Sequence, residues 1–212
     1  MKFMMKSLIV FITASLTILT APVNSSESQV YNLLAPIQSF SANFNQHLID
    51  PKGEIYQSLK GVLHAKKPDK VRWTVFEPAA QSIVSNGIYL WIYDPDLEQV
   101  IIEPYSNNPE SNPISLLLGS PEQIDDHFKL TAQSQKDNSN QWFNLEPKQP
   151  NSLYRNLKIA FKNQFLSTIS FEDNFGQTTL IELKDFQLNP LLSDKFFNFE
   201  IPDGVDILNH AL

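Results

Sequence analysis

The chain has 212 residues, of which 42% are hydrophobic and 18% charged, with a formal net charge of −7 and no cysteine. That much apolar content fills a sizeable core, which excludes a disordered chain, and the acidic balance argues against nucleic acid or an anionic membrane surface as the main partner. The lack of cysteine excludes disulfides, a thiol nucleophile and a lipidated cysteine, so the core alone must hold the fold.

In chain order, Met1–Lys6 carries two lysines and no acid, and Ser7–Thr20 is an apolar run of about 14 residues, too short to span a bilayer comfortably. Val23-Asn24-Ser25 supplies a small-residue cleavage site. Residues 1–25 therefore read as a cleaved signal peptide and 26–212 as one domain, and losing Lys2 and Lys6 moves the net charge from −7 to −9. The expected location is the periplasm.

Ser26 and Gln29 have capping-box spacing. Val30, Leu33, Leu34 and Ile37 then follow at helical spacing, with Pro36 ending or kinking the helix. After Gln38 the period drops to two. Phe40, Ala42 and Phe44 alternate with Ser41, Asn43 and Asn45, and Asp50-Pro51-Lys52-Gly53 turns the chain. Glu54–Ala65 is the next strand, Pro68-Asp69 a turn, and Val71, Trp73 and Val75 alternate with Arg72 and Thr74 up to the break at Glu77-Pro78. Gln81–Ser85 and Ile88–Tyr93 flank Asn86-Gly87, a strong hairpin signal, and Gln99–Glu103 follows the turn at Asp94-Pro95-Asp96.

Tyr105–Pro113 is polar and turn-rich. Ile114, Leu116, Leu117 and Leu118 form a greasy patch ended by Gly119, and Ser120-Pro121-Glu122 starts a short helix reaching about Phe128. Further strands are expected at Leu130–Ser134, Trp142–Glu146, Leu157–Phe161, Leu166–Phe171 and Thr178–Phe186. About ten short strands at this spacing indicate an antiparallel sheet, as sandwich or barrel.

Catalytic signatures are missing. There is no Gly-rich phosphate loop and no Gly-x-Ser-x-Gly elbow. His47, His64, His127 and His210 are far apart without metal-ligand spacing, and the adjacent Asp125 and Asp126 point apart on a helix. No enzyme activity, cofactor or metal is expected. What stands out is Ile88–Tyr93, which is apolar on both faces: Ile88, Leu90 and Ile92 on one, Tyr89, Trp91 and Tyr93 on the other. Such a strand needs two covers. The N-terminal helix is one candidate, and packed core or a filled cavity is the other.

Phe40-Ser41-Ala42-Asn43-Phe44-Asn45-Gln46 resembles the first strand of the LolA family of periplasmic lipoprotein carriers. So do Gly61–Trp73 with its Lys67-Pro68 pair, the Ser82–Pro95 hairpin, and Phe197-Asn198-Phe199-Glu200-Ile201-Pro202-Asp203-Gly204-Val205-Asp206 near the end. The resemblance implies a mainly β fold, a half-open antiparallel barrel of about eleven strands with short α-helices as a lid. It implies a monomeric, non-enzymatic carrier of acylated lipoproteins. Such a carrier loads from an inner-membrane lipoprotein-releasing ABC transporter and unloads to an outer-membrane receptor. It places Val71, Trp73, Ile83, Leu90 and Ile92 on cavity-lining strands and Ile114, Leu116, Leu117 and Leu118 on the lid. The family's latch arginine is Lys67 here, a point charge in place of a planar fork, so the latch is expected to be weaker or shared with Arg72. The small Val71 implies a wider cavity mouth. A lipid-sensing or lipid-binding module of the same fold is the alternative, and an exported hydrolase lacks a recognisable nucleophile and base.

Overall fold

A computed structural model describes residues 26–106, 108, 115–118, 121–133 and 140–211. The expected signal peptide 1–25, Ile114 of the greasy patch and the Gly119-Ser120 stop and cap lie outside the described residues, as do the side chains of Leu116 and Leu117.

Helix α1 (Ser26–Leu34) is followed by β1 (Ser39–Ile49), β2 (Ile55–Lys66), β3 (Lys70–Glu77), β4 (Gln81–Asn86), β5 (Tyr89–Asp94) and β6 (Gln99–Pro104). The short helices α2 (Ser115–Leu118) and α3 (Pro121–His127) then precede β7 (Phe128–Ala132), β8 (Gln141–Pro147), β9 (Tyr154–Lys162), β10 (Phe165–Asp173) and β11 (Thr178–Leu188). A 3-10 turn at Asp194–Phe197 leads to β12 (Asp206–Asn209).

All twelve described strands form one sheet in the order β12-β6-β5-β4-β3-β2-β1-β11-β10-β9-β8-β7. It does not close, and β12 and β7 are its edges. The neighbours pair antiparallel, which the hairpin turns require, except that β12 runs parallel to β6. The chain reaches that edge by crossing the outer face between β11 and β12. This parallel strand raises the count from the expected eleven and was not read in the sequence.

The sheet has apolar residues on both faces. On the inner face Phe40, Phe44, Leu63, Trp73, Phe143 and Ile159 pack with α1 through Val30 and Leu34 and with α3 through Ile124. The rings of Phe44 and Trp73 sit 4.0 Å apart, tilted. Gly61 makes that approach possible, because a Cβ there would lie 1.9 Å from the Thr74 carbonyl oxygen and 2.7 Å from the Phe44 ring. Helix α1 stops at Leu34, two residues before Pro36, whose preceding residue is disfavoured in helical geometry. The hydroxyl of Ser26 accepts a bond from the Ala132 amide (2.9 Å), fastening α1 to the edge strand β7.

Candidate functional site

The β2–β3 turn, the end of α1 and the two short helices line an open-mouthed cavity of about 630 Å³. Its apolar wall is Leu34, Leu118 and Ile124, and its polar groups are Tyr31, Gln38, Lys67, Asp69 and Gln123. Burial pushes the Lys67 ammonium below its ordinary pKa and the Asp69 carboxyl above its own, since each loses water around its charged form. The Lys67 amide donates to Gln38 O (2.8 Å), joining the turn to the end of α1. Its ammonium makes no hydrogen bond or ion pair within the described residues.

Polar tethers hold the helices over the inner face. The Tyr31 hydroxyl donates to the Asp125 carboxylate, the Lys148 ammonium donates to the Asp125 carbonyl oxygen, and the Lys148 amide donates to His127 O (2.8 Å). Beside these tethers the helices make apolar contact: Leu118 and Ile124 are buried in one cluster with Phe128, Val71 and Trp73.

The register places the sequence-derived residues. Trp73 is opposite Ile83, and Ile83 opposite Ile92. Val71 is opposite Ser85, and Ser85 opposite Leu90. Neighbours across a pleated sheet share a face, so Val71, Trp73, Ile83, Leu90 and Ile92 all lie on the inner one. They are not equally covered: Val71 and Trp73 are buried, while Ile83, Leu90 and Ile92 are half-buried. Leu118 joins Lys67 around the cavity, whereas Ile114 and the side chains of Leu116 and Leu117 are outside the description. Ile88, read as the start of the β5 strand, precedes it and is exposed.

Arg72 is not brought to the helices. It lies on the outer face, where Nε donates to Phe196 O (2.8 Å), a terminal nitrogen donates to Asn198 O (3.3 Å), and the guanidinium stacks 4.9 Å from the Phe196 ring centre. Lys66 and Lys70 contact Asp194 at 2.8 and 3.4 Å, and Tyr93 packs on Phe199 with ring centres 5.4 Å apart. The second cover of β5 is thus the segment before β12, with Phe197 fully buried, and not the N-terminal helix. Alternation in the sequence signalled the two-sided strand. The covering segment itself is aperiodic, and several of its bonds run through carbonyl groups, which sequence reading cannot see.

Among the described residues no group of His, Asp or Glu could hold a metal ion, and no helix is long and apolar enough to cross a membrane.

The family described as "Outer membrane lipoprotein carrier protein LolA" matches residues 35–200. The outer-membrane lipoprotein carrier protein of Hahella chejuensis is 37% identical over 179 residues, 84% of this chain and 86% of that protein. The protein of the same name from Chromohalobacter salexigens is 34% identical over 84% of each chain. Among solved structures, an uncharacterised conserved protein of Thermus thermophilus superposes with a TM-score of 0.54 over 86% of this chain and 99% of its own, at 11% identity, a likeness of fold alone.

Proposed function

The chain belongs to the LolA family of outer membrane lipoprotein carriers, and from that premise we propose that it is a periplasmic chaperone for acylated lipoproteins. It accepts them from an inner-membrane ABC transporter, shields their acyl chains against the inner face of the open sheet, and delivers them to an outer-membrane receptor.

The observation that carries it is the way the inner face is closed. An apolar sheet face is capped by short helices through buried leucine and isoleucine side chains, alongside polar tethers such as Tyr31 to Asp125. Each methylene removed from water is worth about 0.8 kcal/mol, so long acyl chains cannot cross an aqueous compartment unshielded. A cavity of about 630 Å³ is of small-ligand size. Loading several acyl chains therefore requires α2 and α3 to lift. When they do, the chains take the place of Leu118 and Ile124 against Val71 and Trp73. The helices act as an internal competitor, which keeps the affinity between that of donor and acceptor. A ligand shifts such an equilibrium only by its differential affinity for the two states.

The test is release. The protein from Ser26 onward is mixed with spheroplasts retaining a radiolabelled lipoprotein and a compatible transporter. The label is expected in the soluble fraction as a one-to-one complex. No release by folded protein would overturn the carrier reading.

A further inference from the structure

We propose that the sheet carries a single-file acyl-chain lane, which leaves the closed core along one register row and ends at the open edge on Leu208. The proposal rests on the carrier reading and adds to it a path and a terminal contact residue outside the helix-capped cavity.

The row is fixed by pairing. Leu63 is opposite Trp73, Trp73 opposite Ile83, Ile83 opposite Ile92, Ile92 opposite Ile101, and Ile101 opposite Leu208. At roughly 4.8 Å per strand this is about 24 Å of unbroken apolar side chains on one face. Exposure rises along it: Leu63 is 0% exposed, Trp73 7%, the three isoleucines are half-buried, and Leu208 is 43% exposed. The buried end is the core that α3 caps, so the lane is continuous with the proposed cargo surface.

Its width identifies the occupant. On one side of Ile101 and Leu208 lie Glu103 and His210, 3.7 Å apart. On the other side Asp94, Gln99 and Asp206 form a polar row by register. At the edge the lane is therefore one residue wide between polar rails. A helix lays a broader stripe in a groove, at i, i+3, i+4 and i+7. A flexible methylene chain needs no hydrogen bonds and fits a one-residue track. β12 is also a four-residue strand with an acid at its start, features that discourage another strand from adding to the edge. The occupant we commit to is one acyl chain of the cargo.

Ile207 provides the control. It precedes Leu208 on the same strand, is 52% exposed, and shares the outer face with Val100. Full-length mature protein carrying a benzophenone amino acid at position 208 or at 207 is mixed with a synthetic triacylated lipopeptide and irradiated. Wild type binding the lipopeptide tests the carrier reading independently. Crosslinking at 208 is expected to exceed that at 207 at least fivefold. Leu208→Asp should weaken lipopeptide binding about fivefold, the loss expected when one leucine stops contacting an apolar ligand, and Ile207→Asp should leave it unchanged. Lipopeptide binding with equal crosslinking at the two positions overturns the lane and leaves the carrier reading standing. Crosslinking of 208 to a second copy of the chain overturns it in favour of an edge interface. Failure of wild type to bind the lipopeptide overturns both.

Discussion

Replacing Ile124 by alanine separates a lid that competes with cargo from a helix that is merely core. Ile124 is 2% exposed, belongs to the buried cluster with Leu118 and Trp73, and lines the cavity beside Lys67. Truncating a buried isoleucine to alanine costs about 2–5 kcal/mol. Helix α3 has seven residues and is buried through Ile124, so the loss falls on a short segment able to open alone. Take an empty protein closed about 99% of the time. A loss of about 2.7 kcal/mol brings open and closed forms to near equality, and because apparent affinity scales with the competent fraction, binding tightens about 50-fold. The assay is an equilibrium titration with a triacylated lipopeptide alongside transfer of loaded lipoprotein to an acceptor. Ile124→Ala is expected to bind tens of times more tightly and to unload more slowly. A mutant whose melting temperature falls while its affinity stays equal or drops would refute the competitor, since the side chain would then serve the fold alone.

Lys67→Met gives a test of sign. A latch would be weakened by losing the charge, so the mutant would load faster; a half-buried ammonium with no bond among the described residues instead opposes closure, so the mutant would load more slowly. The geometry favours slower loading, and stopped-flow lipopeptide binding decides it. Gly61→Ala should lower stability by at least about 1–3 kcal/mol through the clash with the Thr74 carbonyl, lowering the melting temperature by about 2–4 °C per kcal/mol for a domain of this size; an unchanged melting temperature would refute the close packing of β1, β2 and β3. His64 is held below its ordinary pKa by burial and then by Arg72, and its Nδ1 is buried without a partner among the described residues. The unfolded chain therefore takes up the proton first, and stability should decline as pH falls through the unfolded imidazole value near 6.5. His64→Gln should flatten that decline between about pH 7 and 5.5, as read by thermal melts, and an identical slope would exclude His64 as its source.

Local chemistry made most of the sheet readable. Asn86-Gly87 closes the β4–β5 hairpin where the turn chemistry requires, and the alternation of Val71, Trp73 and Val75 set the inner face of β3, with each residue buried. The Pro121 start also found α3. Long-range relations were not readable. Nothing within Asp206–Asn209 announces a parallel partner 107 residues earlier in the chain, with Asp206 opposite Gln99. Arg72 looked available to the helices because its position alone does not reveal its partner; one-residue alternation puts it on the face opposite Trp73, where carbonyls of the C-terminal segment take it. The lane to Leu208 is invisible for the same reason, since its members come from six strands and meet only through register.

The two covers of the sheet differ in how much of their hold is directional, and that difference bears on their roles. Successive strands hold the outer cover through directional bonds: Ser39 to Pro190 O, Lys66 to Leu192 O, and Arg72 to Phe196 O and Asn198 O. An acyl chain offers no replacement for a donor that loses its carbonyl, so cargo has no means of displacing this cover and pays a full desolvation penalty if it tries. The inner cover includes Leu118 and Ile124 in an apolar cluster, and methylene groups replace such contacts at nearly equal free energy because burial is non-directional. A sheet apolar on both sides would otherwise offer lipid two surfaces. Over β1 to β3 the hydrogen-bonded cover leaves the inner face as the exchangeable one, and it is there that the helices, the cavity and the row ending at Leu208 are found.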